Sequence, residues 1–280
     1  MKIGVTGATG QLGKLVVEQL KVKIGKDKVV ALIRSLEKAK DLGVETRLFD
    51  YNKPEGLTEQ LNGIDRLLLI SANEIGQRGR QHKNVIEAAK TAGVKWLVYT
   101  SLLHADSTTL NLAGEHLETE KLLKNSGLDY TILRNGWYTE NYTGSIGGAL
   151  AGGAFIGSGG SGKISSAARA DFAEAAATVL SDESYKGNVF ELAGDNAYTL
   201  SDLAAEISKQ TGKTIPYRDL PETEYAKILE SFDIPKGFAQ AIASWDVSVS
   251  KGDLYDNSKQ LSKIIGRPTT SMAESVKLAL

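Results

Sequence analysis

Residues 1–13 read MKIGVTGATGQLG, and this stretch decides the fold. A short apolar run leads into glycines spaced G-x-x-G-x-x-G, and an amphipathic segment from Leu12 to Leu20 follows, in the strand, turn and helix order of a dinucleotide-binding site. In that order Gly7 permits the tight turn, Gly10 lets backbone N–H groups approach a pyrophosphate, and Gly13 lets the helix pack close to the strand. The alternative interpretation is a glycine-rich turn that binds nothing.

Short apolar segments alternate with helical segments along residues 1–134. Because these apolar segments are continuous, they predict an α/β fold with a doubly wound parallel sheet, the Rossmann arrangement. We expect residues 1–140 to form the dinucleotide-binding core and residues 141–280 a smaller, mainly helical substrate lobe, with residues 163–195 returning to the core. The Gly-, Ala- and Ser-rich stretch 144–162 is interpreted as a wall over the active-site cleft, with a disordered linker as the alternative.

Composition limits the classes of function. The 280 residues carry a formal net charge of −1 and a sequence pI near 6.4, so the charge balance indicates neither a nucleic-acid partner nor an anionic membrane surface. Cysteine is absent, which excludes disulfides, thiolate catalysis and cysteine-ligated metals, and we expect no metal site. The first predicted strand begins at residue 2, and apolar runs such as 67–70 are too short to span a bilayer. We therefore expect a cytoplasmic protein with a small-molecule substrate.

The second predicted strand, Val29 to Ile33, ends at Arg34. At this tip an acidic side chain hydrogen-bonds the ribose 2′-hydroxyl of the cofactor, whereas a basic side chain accommodates a 2′-phosphate. Arg34 therefore favours NADPH over NADH, with an exposed arginine at a strand end as the alternative. The fourth strand ends in Ser71, Ala72 and Asn73, which we expect to lie across from the glycine turn and to contact the cofactor.

The catalytic residues of many short-chain dehydrogenases are only partly present. Those enzymes use a serine at the end of the fifth strand and a Tyr-x-x-x-Lys pair on the next helix to protonate the new alkoxide. Ser101 fills the first place, but the helix carries His116 and Glu120 instead of the tyrosine and lysine. His116 is either a general acid, because imidazole titrates near neutral pH, or a surface histidine of a charged helix. Since a reduced quinone is a stabilised anion, the missing tyrosine favours a quinone over a simple ketone as substrate.

Several runs of residues resemble one family along essentially the whole chain. The first two glycines of the turn are separated by two residues, which matches the looser turn of extended and atypical short-chain dehydrogenase/reductases. Many nucleotide-binding proteins share such a turn, whereas the runs that end the fifth and sixth strands are more selective for one family. The sequence is similar to the bacterial NADPH-dependent quinone oxidoreductases of the NmrA-like group, which are atypical members of that superfamily. The runs that carry the resemblance are Gly7–Gly13, Arg34, Leu69–Ser71, Tyr99–Asp106, Glu115–His116, Glu118–Lys121, Leu133–Tyr138, Glu140–Tyr142, Phe155–Gly157, Lys163–Ile164, Arg169–Asp171 and Gly266–Thr270.

The resemblance implies an enzyme that binds NADPH and transfers hydride to quinones without flavin or metal. The alternative within the same group is a regulatory protein that senses the dinucleotide without turnover. The resemblance also implies that the glycine turn holds the pyrophosphate, Arg34 the 2′-phosphate, residues 71–73 the adenosine side and residues 135–140 the nicotinamide side. The cofactor-binding residues implied are Gly7, Ala8, Thr9, Gly10, Gln11, Leu12, Arg34, Ser71, Ala72, Asn73, Asn135, Gly136, Trp137, Tyr138, Thr139 and Glu140.

Fewer residues are indicated for the acceptor side. Trp137, Tyr138 and Phe155 are candidates to line an apolar slot for a planar quinone, with core or lobe-interface packing as the alternative for Trp137 and Phe155. His116 and Tyr138 are the candidates for catalytic roles. The proton source, the physiological acceptor and the oligomeric state are left open by the sequence.

Overall fold

A seven-stranded parallel sheet forms the centre of the molecule, and the computed structural model describes all 280 residues. The strands of this sheet are β1 (Ile3–Thr6), β2 (Val29–Ile33), β3 (Glu45–Leu48), β4 (Arg66–Leu69), β5 (Trp96–Leu102), β6 (Asp129–Asn135) and β8 (Val189–Leu192). Their order is β3-β2-β1-β4-β5-β6-β8, so the sheet grows outwards in both directions from β1 and β4. This order confirms the predicted doubly wound α/β fold.

Helices cover both faces of the sheet. The α-helices are α1 (Gln11–Ile24), α2 (Leu57–Gln60), α3 (Arg78–Thr91), α4 (Ala113–Lys124), α5 (Glu140–Thr143), α6 (Ile146–Gly152), α7 (Arg169–Ser181), α8 (Leu200–Thr211), α9 (Glu222–Ser231), α10 (Lys236–Ser250), α11 (Gln260–Ile265) and α12 (Met272–Ala279). Apolar residues of α1, α7 and α11 form one buried cluster with the sheet, and those of α2, α3 and α4 form another with the opposite face. None of the helices combines the length and the apolar character needed to cross a membrane.

The central strands β1, β2, β4 and β5 are mostly apolar because both sides of the sheet are covered there. Every residue of β1, β2, β4 and β5 is buried. Successive residues point to opposite faces, so Val29 belongs to the cluster around α1 and Val30 to the cluster around α3. This double coverage explains why the sequence shows continuous apolar runs instead of alternation.

The residues from 141 onwards build a second centre of packing. A small parallel sheet of β7 (Phe155–Gly157) and β9 (Tyr217–Asp219) packs with α8 and α10 in a separate cluster of 19 buried residues. The linker alternative for residues 144–162 is wrong, because this stretch contains α6 and β7. Its predicted position over the active-site cleft stays a prediction.

Two elements after β7 pack against the large sheet. Helix α7 lies against α1, and β8 pairs with the end of β6, where Asn135 is opposite Leu192. An isolated parallel bridge joins Tyr138, which follows β6, to Ala167, which precedes α7. The division into a core of residues 1–140 and a lobe of residues 141–280 stays a prediction.

Candidate functional site

A cleft of about 550 Å³ opens at the carboxyl ends of β1, β2 and β4. The direction in which strands are added changes between β1 and β4, so the cleft lies at the switch point where doubly wound sheets bind ligands. Its walls come from the glycine turn after β1, the β2 tip at Arg34, the chain after β3 at Tyr51 and the chain after β4. Four consecutive loops of the sheet therefore converge on one cavity.

The glycine turn has the geometry that binding of a phosphate requires. Gly7 has a φ of 58°, in the left-handed region that residues with a Cβ rarely adopt. A Cβ on Gly13 would lie 2.8 Å from the Cα of Ala8 and closer still to the carbonyl oxygen of Gly7, so only glycine lets α1 begin so near the turn. The first turn of α1 has no side-chain cap and no acidic residue, so its free N–H groups are available to an anion.

Cationic side chains outnumber carboxylates around the cleft. The cations are Arg34, Lys38, Arg78 and Arg169, and the carboxylates are Asp50 and Glu74. Arg34 donates from Nη1 to Oε1 of Glu74 at 3.0 Å, and both side chains are exposed to solvent. An exposed ion pair of this kind is weak, so a phosphate dianion can replace Glu74 as the partner of Arg34. The excess positive charge favours a ligand with several phosphate groups.

Ten of the sixteen residues predicted to bind the cofactor line this cleft, and six do not. Those that line it are Gly7, Thr9, Gly10, Gln11, Leu12, Arg34, Ser71, Ala72, Asn73 and Tyr138. Those outside it are Ala8, Asn135, Gly136, Trp137, Thr139 and Glu140. Ala8 is fully buried beneath the turn. The contact of each residue with a cofactor stays a prediction.

Tyr138 is the member of the segment 135–140 that reaches the cleft. The guanidinium of Arg169 lies over its ring, with Cζ 4.5 Å from the ring centroid, and Phe172 meets the ring edge-on at 5.2 Å. Burial raises the pKa of Tyr138, so its hydroxyl stays protonated at neutral pH. Glu140 holds Arg169 in place, because its carboxylate accepts hydrogen bonds of 2.9 and 3.0 Å from the backbone N–H of Arg169.

The other members of residues 135–140 differ in their packing and in their hydrogen-bond partners. A Cβ on Gly136 would lie 2.9 Å from the carbonyl oxygen of Leu192, so this position accommodates the close approach of β8. Thr139 Oγ1 lies 2.8 Å from Ser166 Oγ. Asn135 is buried and its side-chain oxygen has no hydrogen-bond partner in the protein. Since such an oxygen is costly to leave unpaired, a bound ligand group or water would complete it.

Trp137 and Phe155 lie in different surroundings. Trp137 is half-buried and meets Trp245 edge-on at 5.7 Å, while Phe238, on the outer side of Trp245 at 6.0 Å, is 51% exposed. Asn111 fixes this group by accepting a 2.9 Å hydrogen bond from Trp245 Nε1. Phe155 is buried in β7 and belongs to the second packing cluster, as the alternative of core packing predicted.

The residues at the positions of the dehydrogenase relay are buried in a network of their own. Ser101 donates to Glu120 at 2.7 Å, and Arg134 donates to both oxygens of Glu120 at 2.9 Å. His116 is buried with Nδ1 2.8 Å from the hydroxyl oxygen of Tyr99, so the surface alternative for His116 is wrong. Burial, with a contribution from a nearby arginine, lowers the pKa of His116 to about 3. The imidazole is therefore neutral at physiological pH, which argues against its role as a general acid.

Several residues that line the cleft were missed in the sequence. They are Leu32, Lys38, Phe49, Tyr51, Asn52, Ile70, Glu74, Arg78, Gln81 and Arg169. A signal existed for Lys38, because it lies four residues after Arg34 in a short 3₁₀ helix, Leu36–Ala39. A signal also existed for Arg78 and Gln81, whose i, i+3 spacing puts them on one face of α3. Arg169 belongs to a run that carries the family resemblance, but no local pattern placed it in the cleft, since α7 reaches the cleft only through long-range packing against α1.

Comparisons with known proteins agree with this geometry. Residues 7–183 match the NAD(P)H-binding family. The chain is 54% identical over 277 residues to quinone oxidoreductase 2 of Escherichia coli strain K12. The aligned region covers 98% of this chain and 97% of that protein. The crystal structure of an NADPH-dependent quinone oxidoreductase from Escherichia coli complexed with NADPH has a TM-score of 0.96 at 53% identity and covers 99% of both chains.

A second solved structure extends the similarity to another reductase. The Citrobacter sp. triphenylmethane reductase complexed with NADP(H) has a TM-score of 0.96 at 36% identity and covers 100% of both chains. The family match spans more than half of the chain, and the relatives match it over nearly their whole length. This chain therefore belongs to the NAD(P)H-binding family, in agreement with its resemblance to the quinone oxidoreductases of the NmrA-like group.

Proposed function

We propose that this protein is an oxidoreductase that transfers hydride from NADPH to quinones. The observation that carries the proposal is the cleft at the switch point of the sheet, with its glycine turn and four cationic side chains. Identity of 54% to a quinone oxidoreductase along nearly the whole of both chains supports the acceptor class. The same identity favours an enzyme over the regulatory alternative.

Two parts of the cleft fit the phosphates of NADPH. The N–H groups at the start of α1 suit the pyrophosphate, since Gly13 lets the helix begin beside the turn. Arg34 and Lys38 lie together at the tip of β2 and suit the 2′-phosphate. An arginine fork binds a phosphate dianion through two parallel hydrogen bonds, so Arg34 is the stronger of the two contacts.

The nicotinamide side is assigned to Tyr138 and Asn135. Tyr138 has a fixed ring plane, because Arg169 covers one part of the ring and Phe172 meets its edge. The buried side-chain oxygen of Asn135 is an acceptor available to an amide N–H donor. NADPH, when bound, supplies the hydride, and these residues orient and shield the ring that carries it.

The acceptor is assigned to the aromatic group of Trp137, Trp245 and Phe238. A planar quinone stacks favourably on such rings, and the exposed side of Phe238 leaves the group open to solvent. Hydride addition converts a quinone to a hydroquinone anion, which takes its proton from solvent. Catalysis then rests on positioning of the two reactants and needs no tyrosine and lysine relay.

The test is steady-state oxidation of NADPH with a small benzoquinone, followed by the absorbance of the reduced nicotinamide. We expect consumption of NADPH that depends on both protein and quinone, with the two small molecules alone as the blank. Turnover no faster than the blank, together with equal affinities for NADPH and NADP⁺, would identify the dinucleotide-sensing regulator instead.

A further inference from the structure

The chain that leaves β4 forms one wall of the cleft, and its backbone is held by side chains of three other elements. Residues 70–74, here called the cleft-wall segment, all line the cavity. The N–H groups of Ile70 and Ser71 donate to the hydroxyls of Thr6 in β1 and Thr100 in β5, each at 2.9 Å. These side chains replace the strand partners that the segment loses where the parallel ladder ends at Leu69.

The third consecutive N–H group donates to a histidine. Ala72 N–H lies 2.9 Å from Nε2 of His82, which is fully buried on α3. Nε2 must therefore accept, so the proton of the neutral ring is on Nδ1, 2.9 Å from Oγ1 of Thr119. Thr119 in turn donates to the carbonyl oxygen of Glu115 at 2.9 Å. One directed chain of hydrogen bonds thus runs from the cleft wall into α4.

The same wall is held from a second side by Arg78 and Glu115. Nε of Arg78 donates to the carbonyl oxygen of Ala72 at 2.5 Å. The carboxylate of Glu115 accepts from the backbone N–H groups of Gly76 at 2.9 Å and Arg78 at 3.2 Å. Both backbone polar groups of Ala72, its N–H and its carbonyl oxygen, are therefore tied to α3, and α3 is tied to α4.

We propose that His82 is a positioning residue for the cofactor, because it fixes the Ala72 peptide in the wall against which the dinucleotide binds. The proposal rests on the NADPH-binding function proposed above. His82 itself does not line the cleft, so it acts on the cofactor only through the cleft-wall segment. Without an acceptor at Nε2, the Ala72 N–H is left unpaired, and the segment loses its set position.

The test compares two replacements of similar length. His82→Met removes the strong acceptor, whereas the side-chain oxygen of His82→Gln can take the place of Nε2. We expect His82→Met to raise both the Kd and the KM for NADPH about tenfold while kcat changes less than about twofold, which is the pattern of lost uniform binding. His82→Gln is expected to restore the Kd to within about twofold of the wild-type value.

His116→Met is the matched control. His116 is also buried and also makes a hydrogen bond to an interior side chain, but its partner Tyr99 does not line the cleft. We expect His116→Met to lower stability and leave the Kd for NADPH unchanged. Thr119→Val, which frees Nδ1 of His82, is expected to raise the Kd about threefold.

Three results overturn the proposal. They are an unchanged Kd in His82→Met, equal weakening in His82→Met and His82→Gln, or equal weakening in His82→Met and His116→Met. Should His82→Met not fold, an unchanged Kd in Thr119→Val overturns it. A wild-type protein that binds NADPH without oxidising it in the presence of quinone contradicts the proposed function, but the comparison of Kd values still decides the role of His82.

Discussion

The proposed cofactor side and the proposed acceptor side of this protein are held together by different means. On the cofactor side, the glycine turn, the β2 tip and the cleft-wall segment all lie at the ends of adjacent parallel strands. On the acceptor side, Trp137 meets Trp245 and Phe238 from a helix about one hundred residues further along the chain. The first arrangement depends on backbone geometry, and the second depends on packing between distant segments.

The largest effect is expected where the backbone of the cofactor side has no room. An added Cβ in Gly13→Ala would lie 2.8 Å from the Cα of Ala8, and neither group can move without disturbing the turn. Overpacking of this kind costs about 2–3 kcal/mol, so we expect the Kd for NADPH to rise about 100-fold. Isothermal titration with NADPH measures it. Gly147→Ala in α6, where a Cβ meets nothing within 4 Å, is the matched control and should leave the Kd unchanged.

A smaller and more selective effect is expected at the β2 tip. Arg34→Ala removes the side chain assigned to the 2′-phosphate, and a charge-assisted contact of this type is worth about 1.5–3 kcal/mol. We expect weaker binding of NADPH and nearly unchanged binding of NADH, measured by titration with both cofactors. Similar losses for the two cofactors would refute the 2′-phosphate role. Glu74→Gln, which releases Arg34 from its ion pair, should strengthen NADPH binding slightly.

The difference between backbone geometry and long-range packing explains how much of the molecule was predictable from the sequence. The doubly wound sheet was predicted from the apolar strands and the glycine turn. A tight turn requires glycine, and a strand covered on both faces is continuously apolar, so both features are visible in the local sequence. Arg34 was identified for a similar reason, since it immediately follows the second strand, whose end lies beside the ribose of the cofactor in this type of fold. Ten of the sixteen predicted cofactor residues accordingly line the cleft.

The rest of the site depends on contacts between residues far apart in the sequence, which no local sequence pattern predicts. Arg169 reaches Tyr138 only after the chain has folded back along α1. His116 looked like a surface residue of a charged helix, but Tyr99 and the neighbouring helix enclose it. The partial match to the dehydrogenase relay was misleading, because Ser101 and Glu120 now belong to a buried ion network with Arg134.

Acid should act in one direction on two buried histidines of α3 and α4 and in the opposite direction on a buried carboxyl group of α10. Burial lowers the pKa of both His82 and His116 to about 3, with contributions from His116 and Arg78 at His82 and from Arg78 at His116, whereas the unfolded chain binds these protons near pH 6.5. Each histidine therefore costs about 1.4 kcal/mol of stability per pH unit as the pH falls below 6.5. In α10, burial raises the pKa of Asp246 to about 6, so below pH 6 its protonation favours the folded state. Two destabilising groups against one leave a net loss of about 1.4 kcal/mol per pH unit between pH 6 and pH 4.

Urea unfolding at pH 7, 6 and 5 measures this slope. His116→Gln should flatten it almost completely, because one histidine then balances Asp246. Asp246→Asn should instead make it about twice as steep, since neither histidine is then offset. An unchanged slope in both variants would mean that the protons are taken up by other groups.

The smallest expected effect tests whether the acceptor side is independent of the cofactor side. Trp137→Leu keeps an apolar side chain against Trp245 but removes the flat ring that we propose to stack on a quinone, a contact worth about 0.5–1.5 kcal/mol. We expect the KM for benzoquinone to rise about threefold to tenfold while the Kd for NADPH stays the same. Phe232→Leu, at an exposed aromatic residue that follows α9, serves as the control and should change neither. A change in NADPH affinity in Trp137→Leu would show instead that residues 135–140 couple the two sides, because Trp137 directly precedes the Tyr138 ring that lines the cofactor cleft.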